Sequence, residues 1–550
     1  MGLKILHVTN IAQNAYINAT LLNARGHDCD VVAYDLYHVA CSPEWYRLFD
    51  FDVDTEQLGG DAFFPDFYLL GHAMPQIEDF VAQGPYYLSL IYLRLRRRND
   101  PRKHAALCAL AYMRFKATMQ RTTTPWLTAM TEQDFQRQIA AYDLQPYLRR
   151  RIMAGRTAER HFESIRVRLR RLLSEEQIRQ MTPPFAVGFL DQFFLADPTL
   201  AHHMRALRER GLAEALGLEY EGPSNETGHL ERLGFAPEEA VPWLGPANIW
   251  RDLAQLYDVC IFYADSSMFA VAAGIKTYCA LEHGTIRTIP FETTPYGRIV
   301  RAAYLGASKV FLTNTDYATA ERRLEFEPEQ RVYQPHPFDE EPAFRFRATY
   351  KAQRDPDRTV FLCPARHDWV SRDPKMAKGN DLYLYAAKQL VDEGRTNFVL
   401  RCVDWGIDRD ASQALITELG LDGHVQWVPP MSKRKLWEAM LDADAVIDQF
   451  LISVVSGITF EALALGRRLI TKDDGVANAV FFAEAPPLMA ASSVDAIAAR
   501  MRAVLDDRED QAGVGERGVE WVQRHHSANR IAQLQEEAFA ALAGHPKLHT

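Results

Sequence analysis

The sequence predicts an α/β protein of two doubly wound parallel sheets, with a large helical insert in the first unit. Three observations predict it. At 550 residues the chain is too long for a single core. Its first 34 residues follow strand–helix–strand grammar, which implies a parallel sheet covered on both faces. A second βα series begins after a proline-dense break at Pro335-His336-Pro337-Phe338-Asp339-Glu340-Glu341-Pro342, where neither helix nor central strand can run.

Taken in order, Leu3 to Thr9 is an apolar run of the buried-strand type. A polar loop from Asn10 to Asn14 leads into a helix that ends near Arg25-Gly26-His27, and Cys29 to Tyr34 is the next strand. No GxGxxG follows the first strand, so no dinucleotide site is inferred there. From about Phe80 to Pro242 the pattern is mostly helical, which sets the insert. Strand runs resume at Val259–Tyr263, Lys276–Leu281 and Lys309–Thr313, with a helix over Thr294–Ala303. Beyond the linker, strands are expected at 359–363, 398–402, 425–428, 446–447 and 468–470, and helices at 381–393, 409–419, 433–442 and 460–466. A last helix is expected from Ala528 to Leu542. The predicted units are 1–340 (insert 80–242), 341–527, and a terminal helix in 528–550. Ligands of such sheets bind beyond the carboxyl ends of the strands, so the cleft between the units is the expected site.

Composition narrows the class. A hydrophobic fraction of 47% with 24% charged residues is ordinary for a globular protein. No apolar run is long enough to span a bilayer, and no signal peptide precedes Leu3. The seven cysteines are scattered without a CxxC pair, which argues against a disulfide framework or a zinc site and favours a reducing, cytoplasmic setting. The net charge of −10 hides a basic block. Residues 94–171 hold 19 Lys/Arg and 6 Asp/Glu, a local +13 that leaves −23 elsewhere. Arginine-rich runs at 93–98 and 165–173, with the tyrosine-rich stretch from Pro85 to Leu93, suit an anionic membrane surface. An ordinary solvated helical insert, whose charges only keep it soluble, explains them as well and is the favoured reading. No nucleic-acid reading motif is present.

The segment from Asp442 to Thr471 carries the most chemistry. A strand-like run, Ala445 to Phe450, is followed by a small-residue turn at Ser456-Gly457 and a helix expected to open with Thr459-Phe460-Glu461. Unpaired N–H groups at such a helix start favour an anion such as a diphosphate. Glu461 cannot serve the phosphate, because like charges repel, and its natural partner is a ribose or sugar hydroxyl. In the first unit, Leu281-Glu282-His283-Gly284-Thr285-Ile286-Arg287 sets a polar cluster at the end of an apolar strand. Glu282 and His283 are candidates to hold a hydroxyl, and Arg287 to hold a phosphate, against a structural histidine in a turn. Asn10 is a weaker acceptor-side candidate, for which a cap or turn role weighs at least as much.

These landmarks, read in order, resemble the retaining, family-4-like glycosyltransferases of the two-Rossmann (GT-B) class over residues 332–542. Val332–Asp339 resembles that family's interdomain segment, and the terminal helix in 528–550 resembles the one that crosses back to the first unit. Ala365-Arg366 and Met376-Ala377-Lys378-Gly379-Asn380-Asp381 resemble its diphosphate-holding arginine and Lys-Gly pair. Val425-Gln426-Trp427-Val428 resembles the strand beside the donor base. Asp448-Gln449 with Glu461-Ala462-Leu463-Ala464-Leu465-Gly466 resembles a donor-site variant of the family. The resemblance implies that Arg366, Lys378, Ser456 and Gly457 bind the donor diphosphate and that Glu461 binds ribose or sugar. It further implies a nucleotide-sugar donor, a glycan or lipid-linked acceptor, retention, and no metal or cofactor. His283, Glu282 and Asp448 are the expected catalytic groups. The chain departs from the family at Ser453, where the first of two spaced glutamates is expected and which Asp448 could replace. A nucleotide-sugar epimerase or hydrolase, or a non-catalytic binding protein, is the alternative. The expected location is cytoplasmic, peripheral to the inner membrane face through residues 85–172.

Overall fold

The computed structural model describes residues 2–33, 78–83, 86–103, 226–236, 247–315, 323–373, 377–431 and 433–543, with gaps of a few positions within them and isolated positions between. Two all-parallel sheets organise these residues. The first contains β1 (Lys4–Val8), β2 (Asp28–Ala33), β3 (Val81–Gln83), β4 (Val259–Tyr263), β5 (Cys279–Leu281), β6 (Lys309–Leu312) and β7 (Arg331–Tyr333). Its spatial order is β3-β2-β1-β4-β5-β6-β7. The second contains β8 (Thr359–Cys363), β9 (Phe398–Val403), β10 (Val425–Val428), β11 (Ala445–Ile447), β12 (Leu469–Thr471) and β13 (Met489–Ala490), in the order β10-β9-β8-β11-β12-β13. Both are the doubly wound order of a Rossmann-like unit, so the predicted fold class is the one the structure shows.

Helices cover both faces. They are α1 (Asn14–Ala24), α2 (Tyr86–Arg97), α3 (Ala247–Ala254) and α4 (Pro295–Gly306) in the first unit. The second has α5 (Glu341–Thr349), α6 (Asn380–Asp392), α7 (Arg409–Glu418), α8 (Lys433–Asp442), α9 (Gly457–Ala464), α10 (Gly475–Phe482), α11 (Val494–Asp506) and α12 (Val514–His525). Because helices bury both faces, central strands such as β4 and β8 are buried at every position and read as continuous apolar runs. The last helix, α13 (Ala528–Ala543), packs on the first unit. Phe539 meets Phe311 edge-on at 6.2 Å, Gln535 Nε2 donates to Asn18 Oδ1 at 2.7 Å, and Arg25 and His27 both bond Glu536.

Two features of the insert emerge among the described residues. Val81–Gln83 pairs with β2 as an edge strand, so the sheet extends past the predicted start of the insert at residue 80. The stretch expected to face a membrane forms α2, whose Leu88, Leu90, Ile91, Leu93 and Leu95 are buried in the core. Its arginines are paired inward. Arg96 and Arg97 hold the fully buried Asp30 at 2.6 and 2.5 Å, and Arg94 and Arg98 reach Asp252 at 3.2 and 2.5 Å. A buried carboxylate needs such partners, and they lie on strands and helices far away in sequence. The second basic run, 165–173, lies outside the described residues. Among the described residues no helix is long and apolar enough to cross a membrane.

Candidate functional site

In each sheet the strand order reverses at one place, between β1 and β4 and between β8 and β11. The loops leaving those strands diverge there and open a crevice at the carboxyl ends. In the second unit, Arg366 leaves β8 and Asp448-Gln449 leave β11, so they flank the reversal.

Lys378 is stitched into the crevice by its backbone. Its N–H donates to Asp368 O at 2.5 Å, and its carbonyl accepts from Phe450 N at 2.8 Å. Gly379 then turns the chain into α6 at φ +78°, a left-handed conformation, and a Cβ there would stand 3.0 Å from Leu451 Cγ. The Lys-Gly pair thus has a steric reason. Lys378 Nζ donates to Gln449 Oε1 at 2.6 Å. Burial lowers its pKa, Asp448 opposes that shift, and Arg366 and Arg287 add to it. Arg366, Arg287 and Asp448 therefore each lie within electrostatic reach of Lys378. Arg366 Nε also donates to Asp368 Oδ2 at 3.3 Å.

The start of α9 differs from expectation. Ser456 is its N-cap: Ser456 Oγ accepts from Thr459 N at 3.2 Å, and Ser456 N donates to Thr459 Oγ1 at 3.3 Å. The helix begins at Gly457, so Glu461 lies in its second turn rather than its first. Among the described residues, the Gly457 and Ile458 N–H groups have no hydrogen-bond acceptor, as an anion site at a helix start requires. Ser456 Oγ also donates to Asp448 Oδ2 at 2.6 Å. Burial raises the Asp448 pKa, while Lys378 and that hydroxyl pull it back. Glu461 is buried behind this turn. Its Oε1 accepts from Lys433 Nζ at 2.5 Å and its Oε2 from Trp437 Nε1 at 2.6 Å.

Across the cleft, the two neighbours in Glu282-His283 separate. Glu282 turns inward, 1% exposed, and its carboxylate accepts from Gly284 N at 2.6 Å and Thr313 Oγ1 at 2.5 Å. Buried, it ties the turn after β5 to Thr313 at the end of β6, with both of its oxygens engaged inside the fold. His283 stays partly exposed, with its Nδ1 2.9 Å from Asn14 Nδ2. The same amide lies 3.1 Å from His336 Nδ1, and the two rings meet edge-on at 4.8 Å. Burial, then Arg287, holds the His283 pKa down at about 4, and burial with its charged neighbours holds His336 well below the usual range. Both are neutral at pH 7. If Asn14 donates to His283 Nδ1, that ring carries its proton on Nε2, whereas His336 has amide nitrogens at both ring nitrogens, Asn14 at Nδ1 and Asn314 at Nε2 3.1 Å away, and a neutral ring accepts from one of them. Asn10 is buried and caps α1 locally, bonding Tyr16 N through Oδ1 at 2.9 Å and Gln13 through Nδ2 at 3.1 Å.

Gln449 stood in the sequence only as part of the Asp448-Gln449 motif, and several other site residues were missed. Gln449 receives the Lys378 ammonium and donates to Val454 O at 2.9 Å. Thr315 Oγ1 donates to Ser453 O at 3.2 Å, so the position of the missing glutamate contacts the first unit through its backbone. Asn14, His336, Lys433 and Trp437 complete the set. The histidine between two linker prolines was the available signal, since prolines fix the backbone that aims it.

Comparison with known proteins follows from this geometry. No curated protein matches this chain in sequence. Among solved structures, HepE of Anabaena in complex with UDP is similar at 17% identity, over 60% of this chain and 89% of that one, with a TM-score of 0.43. A glycosyltransferase of Rickettsia africae is similar at 14% identity over 60% and 87%, TM-score 0.43. A sucrose-phosphate synthase of Thermosynechococcus elongatus is similar at 17% over 54% and 78%, TM-score 0.40. At such scores these likenesses carry no weight, and the two-sheet architecture stands on its own strand order. The sequence itself carries more: residues 369–521, which include Lys378, Asp448, Gln449, Ser456 and Glu461, match the family described as Glycosyl transferases group 1.

Proposed function

We propose that the protein is a glycosyltransferase that moves a sugar from a nucleotide-diphosphate sugar to a glycan or lipid-linked acceptor, with retention and without a metal. One observation carries this reading. Arg366, Lys378 and the Ser456-capped start of α9 converge at the carboxyl ends of β8 and β11, in a unit most of which matches the group 1 family. Breaking the glycosidic bond leaves charge on the diphosphate, and preorganised cations and helix-start N–H groups stabilise it without reorganising. In the retaining course the acceptor oxygen attacks the anomeric carbon on the face the diphosphate leaves. The acceptor proton passes to a departing phosphate oxygen. On this reading His283, which burial keeps neutral, hydrogen-bonds a hydroxyl of the sugar or acceptor, and Arg287, within electrostatic reach of Lys378, meets negative charge from the first unit. The ribose falls to Glu461.

A thermal-shift screen over nucleoside diphosphates and nucleotide sugars tests the donor site. A ligand present at 100 times its Kd adds about 2.7 kcal/mol of stability. If none stabilises the protein, the donor reading fails. Ser453 favours a second reading, a non-catalytic nucleotide-sugar binder, in which donors bind but neither hydrolysis nor transfer is seen with any acceptor extract. Incubation with donor alone separates an epimerase or hydrolase. Peripheral membrane contact now rests on the run at 165–173, because the arginines at 94–98 are paired within the fold. Flotation with anionic and neutral liposomes tests it.

A further inference from the structure

The arrangement around Glu461 goes beyond the presence of a carboxylate. Lys433 and Trp437 stand four residues apart on α8, so they share one helix face. From that face each holds a different carboxylate oxygen of Glu461, Lys433 Nζ on Oε1 at 2.5 Å and Trp437 Nε1 on Oε2 at 2.6 Å. Trp437 is 3% exposed, and its ring packs against Phe346 at 5.9 Å, so the indole N–H is a fixed donor. The Glu461 side chain is 9% exposed and Lys433 28%, so the ammonium lies on the solvent side of the pair.

An ionised carboxylate offers about four acceptor sites, two on each oxygen. The lysine and the tryptophan use one on each. One site therefore remains on each oxygen, and a pair of vicinal hydroxyls can donate to them without moving the side chain. A glutamate free to rotate would lose rotamer entropy on binding, and this one has already lost it.

We infer that Lys433 and Trp437 are positioning residues that preset Glu461 to accept the two ribose hydroxyls of the donor, a role that rests on the donor-site reading above. They act through Glu461 and need no contact with the reacting atoms. Their removal should abolish discrimination for the ribose hydroxyls while leaving diphosphate binding in place.

The test measures the binding of UDP, GDP and ADP to the full-length protein by calorimetry, each beside its 2′,3′-dideoxy counterpart. In the unaltered protein at least one ribonucleotide should bind roughly tenfold more tightly than its dideoxy form, the effect of hydrogen bonds to a charged group. In Lys433→Met that ratio should collapse toward one, with the dideoxy nucleotide changed less than about threefold. Lys433→Arg should restore most of the ratio. Trp437→Phe keeps the ring, removes only the N–H, and should lower the ratio in the same direction, so the inference does not depend on one variant folding. A ratio that persists in both Lys433→Met and Trp437→Phe overturns the inference alone. Equal weakening of both nucleotide forms would mark a merely structural pair and also overturn it. If the unaltered protein binds a ribonucleotide and its dideoxy form equally, the assignment of Glu461 to ribose fails. If it binds none of the three, the donor site itself fails.

Discussion

At the scale of single residues the site is a set of buried charges that compensate one another. Lys378 and Asp448 would each be costly alone in the crevice, and together with Gln449 and Ser456 they form a satisfied network. A diphosphate arriving there meets an ammonium that burial and two arginines have made less comfortable as a cation, so binding relieves it. Lys378→Met should therefore weaken nucleoside diphosphate binding by about 2 kcal/mol or more, the worth of a charge-assisted hydrogen bond. Calorimetry checks it, with the melting temperature as the control for folding. The sequence set Gln449 beside Asp448 in a motif but not as the partner of Lys378, because nothing in a glutamine marks it as the partner of a lysine 71 positions away.

At the scale of elements, the turn geometry decides where the chemistry sits. Gly379→Ala would place a side chain at φ +78° and against Leu451. The left-handed conformation alone should cost about 1–2 kcal/mol. Nucleotide binding should suffer further, because Lys378 precedes the turn, and urea unfolding with and without nucleotide measures both effects. Ser456→Ala removes the cap of α9 and the hydroxyl on Asp448, and should cost about 1 kcal/mol in the same titration. Strands were legible because burial on both faces writes them as apolar runs. The start of α9 was less so. Its cap is answered by Thr459 rather than by a glutamate, so the capping-box signature was absent and the helix was placed too late. The arginines of α2 were misread for a related reason. Their partners Asp30 and Asp252 sit on β2 and α3, and local charge counting cannot see them.

At the scale of the whole molecule, the linker and the terminal helix join the two units. Phe539 is buried under the first sheet, and Phe539→Ala should cost about 3–5 kcal/mol, read as an earlier melting transition. His526 sits where the joins meet. Its Nε2 donates to His336 O at 2.7 Å, and its ring stacks on Phe338 at 5.8 Å. Burial holds its pKa down at about 3. With the folded pKa below the unfolded value of about 6.5, the unfolded chain binds the extra proton, so this histidine's contribution is present above about pH 6.5 and declines below it. The slope is about 1.4 kcal/mol per pH unit until the folded pKa is reached. His526→Phe should therefore be less stable than the unaltered protein at pH 7.5, through the lost hydrogen bond, and the gap should close between pH 6.5 and 5. Melting curves across that range measure it, and a gap that stays constant or widens on acidification would contradict the placement of a neutral imidazole there.

By itself the sequence determined the two parallel units, the proline break between them and the candidate residues at 366, 378, 448, 456 and 461. Hydrophobic periodicity and turn chemistry are local properties, so they survive in one dimension. Only the tertiary structure decided that Glu282 turns inward, that the arginines of α2 are paired, that His283 and His336 share one asparagine, and that Lys433 and Trp437 grip Glu461. Each of these depends on which groups burial leaves without water. A buried polar atom takes the nearest partner in space, wherever the chain happens to carry it.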